Sequence, residues 1–138
     1  MIILDTNVVS ELVRSRPDHR VVDWMRAQAP DTLYITTITV AEMLTGANQM
    51  DDGRRSDNKA ELILRVLARF RQHTLSFGML AAAECANVRS LRQAVGRPIA
   101  LADAMIAATA IAAEADAIAT RDRGFVGVGL PVLNPWAG

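Results

Sequence analysis

The chain has little of what a secreted, membrane-spanning or polyanion-coating protein needs. Cys85 is the only cysteine in 138 residues, so no internal disulfide can form. A lone thiol within Ala81-Ala82-Ala83-Glu84-Cys85-Ala86 reads as a small buried hydrophobe. Net charge is missing as well, fifteen basic residues facing fifteen acidic ones, which excludes capture of a polyanion by bulk charge. Lys59 is the only lysine; arginines, whose forked guanidinium suits bidentate phosphate contacts, supply the rest, although codon composition gives the same bias. No long apolar run is free of charge. The most apolar stretch, Ile99 to Thr120, is alanine-rich and carries Asp103, Glu114 and Asp116, a poor membrane span. Asp5 interrupts the apolar start at once, so no signal peptide is expected and the cytoplasm is the expected location.

What is present is a hydrophobic content of 51%, enough for residues 1–138 to form one compact domain with a real core. Strand-like runs recur at Ile2–Leu4, Leu33–Thr37, Thr74–Phe77, Ala117–Thr120 and Leu130–Leu133. Helices are expected at Val8–Val13 and His19–Ala29, separated at Arg16-Pro17 because the residue before proline avoids helical geometry. Further helices are expected at Val40–Asn48, Asn58–Gln72, Met79–Val95 and Leu101–Ala115. Gly96 stands where a helix C′ residue belongs. The last helix is apolar nearly all round, hence central. Between them, the polar stretch Gln49–Asp57 reads as a mobile loop or helix hairpin. Alternating strands and helices predict an α/β fold with a parallel sheet and right-handed crossovers.

Within that layout Met1-Ile2-Ile3-Leu4-Asp5-Thr6-Asn7 is the most informative segment. A branched apolar run reads as a strand buried on both faces, and it stops on a carboxylate at the edge where open α/β sheets place ligands. Glu42 falls in the first turn after the second strand, Asp103 begins the apolar helix, and Asp122 follows the fourth strand. Four βα junctions of a parallel sheet share one edge, so these four acids can converge. Each also has a purely local explanation. Asp5 can cap a helix, Thr39-x-x-Glu42 fits a capping box, Asp103 suits a helix dipole, and Asp122 can organise a turn. If they meet, their mutual repulsion strains the empty site and a hard divalent cation relieves it. Zinc is disfavoured because thiols and imidazoles are absent from these positions. His19 and His73 read as surface residues without a role. Thr6, Asn7 and Thr120 can support a carboxylate or a water, or simply cap; Arg121 and Arg123 flank Asp122 and can reach phosphates or belong to a solvated turn.

At these residues the chain resembles the PIN-domain nucleases, and within them VapC-type ribonuclease toxins of toxin–antitoxin pairs. The matching pieces are Ile2-Ile-Leu-Asp5-Thr6-Asn7-Val-Val-Ser-Glu11-Leu, then Ile35-Thr-Thr-Ile-Thr-Val-Ala-Glu42-Met-Leu-Thr-Gly46. Further on come Ile99-Ala-Leu-Ala-Asp103-Ala-Met-Ile-Ala, Ala119-Thr120-Arg121-Asp122 and Leu133-Asn134-Pro135-Trp136. The resemblance implies a Rossmann-like, three-layer PIN fold around a central parallel five-stranded sheet. It implies that Asp5, Glu42, Asp103 and Asp122 are the catalytic, metal-site residues for Mg2+ or Mn2+, supported by Thr6, Asn7 and Thr120. One segment departs from the family pattern: Thr120-Arg-Asp-Arg-Gly-Phe125 is shorter than in many relatives, which bears on Asp122 as the fourth ligand. Asp116, a nearby acid, precedes its strand and belongs at the opposite end.

The same resemblance implies an endoribonuclease that inhibits translation, and a homodimer assembled with a VapB-type antitoxin. The antitoxin tail would lie in a groove drawn from Leu12, Val13, Trp24, Met25, Met43 and Leu62, most of which core packing also explains. Two other classes stay open on the residues alone. A phosphoacceptor domain also places Asp after the first strand, but Asn7 and the distant Lys59 do not fit its pattern. A binding-only module would use the acids merely as caps.

Overall fold

In the computed structural model, residues 1–50 and 53–137 are described. The elements run β1 (Ile2–Leu4), α1 (Thr6–Leu12), α2 (His19–Ala27), β2 (Leu33–Thr36), α3 (Thr37–Asn48), α4 (Arg54–Arg69), β3 (Thr74–Leu75), α5 (Met79–Ala94), α6 (Leu101–Ala112), β4 (Ala117–Ala119) and β5 (Val132–Leu133). Short 3-10 turns at Pro30–Thr32, Arg71–His73 and Arg123–Phe125 precede β2, β3 and β5. The five strands form one parallel sheet in the order β3-β2-β1-β4-β5, as the alternation of strands and helices predicts. No helix among the described residues is long and apolar enough to cross a membrane.

Two apolar clusters cover the two faces, because successive strand side chains point to opposite sides. Leu4, Ile35 and Ala119 pack with Val8 and Val9 of α1, Val21 of α2 and Val66 of α4. Ile3 and Ile118 pack on the other side with Val88 of α5, Ile106 and Ala107 of α6, and Phe125. Cys85 is buried in this second cluster with no disulfide, as a small hydrophobe would be. The alanines of α6 let that helix sit close against both α5 and the sheet.

Several boundaries differ from the sequence expectation. The strand expected over Leu33–Thr37 stops at Thr36, and the chain turns helical at Thr37. The Thr36 hydroxyl accepts the Thr39 amide and caps α3 three residues before the expected start. Thr39 is therefore inside the helix, and the expected Thr39–Glu42 capping box does not form. α4 begins at Arg54 rather than Asn58; of the expected loop or hairpin at 49–57, Asp51 and Asp52 lie outside the described residues. α5 ends as predicted at Gly96, whose φ of 70° closes a Schellman motif through Gly96 N–H to Gln93 O and Arg97 N–H to Arg92 O.

The strand order has one consequence for function. From β1 the chain goes outward through β2 to β3, and later returns to place β4 on the other side of β1. The reversal lies between β1 and β4, and the crevice beyond their carboxyl ends is where such sheets hold ligands.

Candidate metal centre at the strand reversal

Asp5 ends β1 at that crevice and is only 4% exposed. Its backbone N–H donates to Ala119 O of β4 at 2.9 Å, which fixes where the side chain starts. Both carboxylate oxygens are engaged. Oδ1 accepts the Thr6 amide at 2.7 Å, so Asp5 does cap α1. Oδ2 accepts the Thr120 hydroxyl at 2.7 Å across the strand reversal. Capping and site-building are thus one arrangement, since the cap holds the carboxylate in the crevice.

Around Asp5 the other acids come from the elements expected of them. Asp103 lies in the first turn of α6, half-buried, with no side-chain cap before it. Asp122 follows β4, is exposed, and its Oδ1 accepts the Gly124 amide at 2.7 Å. Glu42 projects from the second turn of α3 and its Oε1 accepts the Thr6 hydroxyl at 2.7 Å. Thr6 Oγ1 also lies 2.9 Å from Thr39 Oγ1, which ties α1 to α3. Asp116 stands apart at the start of β4, where it pairs with the N-terminal ammonium at 2.6 Å.

Electrostatics registers the gathering. Burial, with smaller pushes from the charges of Asp103 and Asp122, carries the Asp5 carboxyl up to about 6 against the pull of the Thr120 and Thr6 hydrogen bonds. Asp103 is raised as well, by burial first, then by Asp122 and Glu42. Repulsion of this kind is what a bound cation removes. The donors are all oxygen, the chemistry of magnesium or manganese rather than zinc. Among the described residues no three acidic, histidine or cysteine side chains lie close enough together to hold a metal ion by themselves; magnesium, which keeps several waters and binds through one or two carboxylates, asks for fewer.

Asn7 supplies a further observation. Its Nδ2 donates to Thr120 Oγ1 at 3.0 Å, while its Oδ1 is buried with no hydrogen-bond partner among the described residues. Buried amide oxygens are rarely left so, and a water held by a cation at this rim would satisfy it. Thr120 is the hub, giving its proton to Asp5 and accepting from Asn7 and from the Asp122 amide at 3.0 Å.

Two charged residues escaped the reading of the sequence. Glu11, 2% exposed, accepts the Asp18 amide at 2.8 Å and the Arg14 guanidinium at 3.3 Å, fastening the turn between α1 and α2. Its position on the buried Val8–Val9 face of α1 was the available signal. Arg92, 6% exposed, has no comparable signature. It donates from Nε to Arg97 O at 2.8 Å and from Nη1 to Val126 O at 2.7 Å, bracing the loop before α6 against the turn after Asp122. His73 is not the plain surface residue expected: its ring stacks on Tyr34 at 4.5 Å and its Nδ1 lies 3.0 Å from Leu33 O. The residues expected to line one partner groove divide. Leu12 and Met25 line a cavity of about 860 Å³, Val13 and Met43 are core residues that also edge a second cleft, and Trp24 and Leu62 pack against the core.

Comparison with known proteins bears on the family and the fold. The PIN domain family matches residues 2–129. The chain is similar to the plasmid stability protein StbB of Pseudomonas syringae pv. tomato, 45% identical over 99% of both chains. It is 41% identical to the VapC ribonuclease Y4jK of Sinorhizobium fredii, covering 99% of this chain and 98% of that one. It is 38% identical to the toxin FitB of Neisseria gonorrhoeae over 99% of both. The crystal structure of FitAcB from Neisseria gonorrhoeae superposes with a TM-score of 0.91 at 37% identity, over the full length of both chains. The motifs that end on Asp5, Glu42, Asp103 and Asp122 thus sit in the fold they imply, and the chain belongs to the PIN-domain family.

Proposed function

We propose that this chain is an endoribonuclease dependent on Mg2+ or Mn2+, acting as the toxin of a toxin–antitoxin pair and inhibiting translation. The observation that carries the reading is Asp5: a carboxylate raised by burial first and then by Asp103 and Asp122, at the reversal point of a parallel sheet. Asp5, Glu42, Asp103 and Asp122 would hold the ion, with Asp122 contributing the oxygen not committed to Gly124. Thr120 and Thr6 orient Asp5 and Glu42 through the hydroxyl bonds already described. Asn7 would offer its buried, unpartnered amide oxygen to a water brought in by the ion. A divalent ion supplies, when bound, a water acidic enough to attack phosphorus and a counter-charge for the phosphate oxygens. The protein's share of the work is to hold the acids together at the rim and the phosphodiester in line.

The partner in this reading is a small VapB-type antitoxin. The relatives VapC ribonuclease Y4jK and toxin FitB, by name, support it, as does the roomy cavity between α1, α2 and α4 lined by Leu12, Met25 and Phe70. A homodimer belongs to the same proposal. Met79, Leu80 and Leu91 of α5 and Val95 just after it are exposed and offer apolar surface that such an assembly would cover. The expected place of action is the cytoplasm.

Purified protein should cut RNA with Mg2+ or Mn2+ present. EDTA and Asp5→Asn should each stop the cutting while the protein stays folded. Cleavage that survives Asp5→Asn would remove the basis of the proposal. So would calorimetry showing no manganese uptake by the wild type, which would leave the acids as caps in a binding-only module.

A further inference from the structure

The closing Leu133-Asn134-Pro135-Trp136 motif has no part in the metal centre described above, yet the sheet delivers it to the same edge. β4 and β5 run parallel with Ala119 opposite Leu133, so residues a few positions beyond these strands emerge side by side. Arg121 follows β4, Trp136 follows β5, and the Arg121 guanidinium carbon lies 4.7 Å from the centre of the Trp136 ring. Arg121 also lines the second cleft together with Thr6, Asn7 and Glu42. We infer that Trp136 is a positioning residue: its ring holds the Arg121 guanidinium away from the acids of the candidate metal centre and so leaves them free for a divalent ion. The inference rests on the metal-dependent reading above and adds to it a residue from outside the acidic rim.

Three observations carry it. The first is a comparison within the chain. Arg14 and Arg20 each turn back onto a nearby acid, Arg14 onto Glu11 at 3.3 Å and Arg20 onto Asp18 at 2.7 Å. Arg121 has Asp122 beside it in the chain and Glu42 on the same cleft. Among the described residues it nevertheless forms no ion pair. The second is the fixed place of the ring. Trp136 is buried in the cluster that holds Leu4 and Ala119, and its amide donates to Asn134 Oδ1 at 3.0 Å. The third is the fixed root of Arg121. Thr120 N–H donates to Leu133 O at 2.8 Å and the Asp122 amide donates to Thr120 Oγ1 at 3.0 Å, so only the flexible side chain chooses a partner. A guanidinium over an indole face gains about as much as one in an exposed ion pair, so a ring within reach decides where it rests. Without the ring the carboxylates remain as the favourable partners, and a bidentate guanidinium there would occupy oxygens that a metal ion needs.

The experiment is titration calorimetry with Mn2+ at a fixed ionic strength of about 0.1 M. Trp136→Leu keeps apolar bulk in the cluster and removes the π face; it should weaken Mn2+ binding about 10-fold. Trp136→Phe, whose face holds a cation less well than indole, should fall between Trp136→Leu and the wild type. Arg121→Gln alone should bind Mn2+ at least as well as the wild type, because a neighbouring positive charge is gone. The decisive measurement is the pair: with Arg121→Gln already in place, adding Trp136→Leu should cost nothing. A loss of equal size with and without Arg121 overturns the inference, since the ring would then support the site by packing alone. Unchanged Mn2+ affinity in Trp136→Leu overturns it too. Should Trp136→Leu fail to fold, Trp136→Phe carries the same comparison with and without Arg121→Gln. RNA cutting is no part of the readout, so a wild type that takes up Mn2+ and cuts no RNA counts against the nuclease and not against Trp136. A wild type that takes up no Mn2+ overturns both.

Discussion

Asn7 and Thr120 are joined by a 3.0 Å hydrogen bond that spans the strand reversal, from the first turn of α1 to the end of β4. The bond consumes the amide nitrogen of Asn7 and leaves its oxygen buried and unpartnered among the described residues. An amide kept in that state is poised for a ligand rather than for stability. Asn7→Ala should therefore weaken Mn2+ binding by about 10-fold or more, the usual effect of losing an outer support of a metal site. Stability should change little, because Asn7 leaves one hydrogen-bonding group unpaired already. Titration calorimetry together with a melting curve reads both. A large fall in melting temperature with unaltered Mn2+ affinity would make Asn7 a structural residue.

Asp5 makes the metal-free protein sensitive to pH in a direction opposite to most acids. Its folded carboxyl titrates near 6 against 3.8 in the unfolded chain, so between those values the folded state holds a proton that the unfolded state releases. Stability from this group is present at pH 4 and is lost as pH rises through about 6, up to roughly 3 kcal/mol. Asp5→Asn should raise the melting temperature of metal-free protein at pH 8 and hardly at pH 4.5. Magnesium should stabilise the wild type far more at pH 8 than at pH 5. Equal effects of the substitution at both pH values would contradict this account.

Gly124 stands against Asp122 for a steric reason. A Cβ at Gly124 would sit 3.0 Å from Asp122 Oδ1, the oxygen that accepts the Gly124 amide at 2.7 Å. Gly124→Ala should push that carboxylate by a few tenths of an ångström, within the range over which metal sites lose function. We expect a fall of about 10-fold in Mn2+ affinity and a smaller loss of stability. Unchanged uptake would show that the position of Asp122 is immaterial to the centre.

Arg92 answers for stability. Its guanidinium satisfies Arg97 O and Val126 O from a buried position on α5. Arg92→Met keeps the stem and abandons both carbonyls, which should cost about 2–3 kcal/mol. Urea denaturation measures this directly. A loss below about 0.5 kcal/mol, the range of ordinary surface changes, would mean that water replaces the guanidinium without penalty.

Much of the fold was legible because it is written in local pattern. Ile2–Leu4 is a continuous apolar run since β1 is central and covered on both faces, and the alanine-rich α6 announced its own burial. Boundaries failed where local preference and packing disagree. Thr37, Ile38, Thr39 and Val40 have the side chains of a strand, and the chain makes them a helix because the Thr36 hydroxyl caps it there. Arg92 was illegible for a related reason: its partners are backbone carbonyls in other turns, and nothing in the residue itself names them. For Glu11 only its burial on the face of α1 was signalled, not the Asp18 amide and Arg14 guanidinium it accepts.

The linear chain determined which groups would be present and on which kind of element: an acid after β1, another early in α6, a hydroxyl–arginine–acid run after β4. Those follow from nearest-neighbour chemistry, the alternation of apolar and polar residues and the caps at helix starts. Only the tertiary structure decided that β4 lies against β1 rather than at the sheet edge, and so brought the Thr120 hydroxyl within 2.7 Å of Asp5 across 115 residues of sequence. Contacts of that separation depend on strand order and on which face each helix buries. Both are set by how the apolar surfaces fit together, a property that no short segment carries alone.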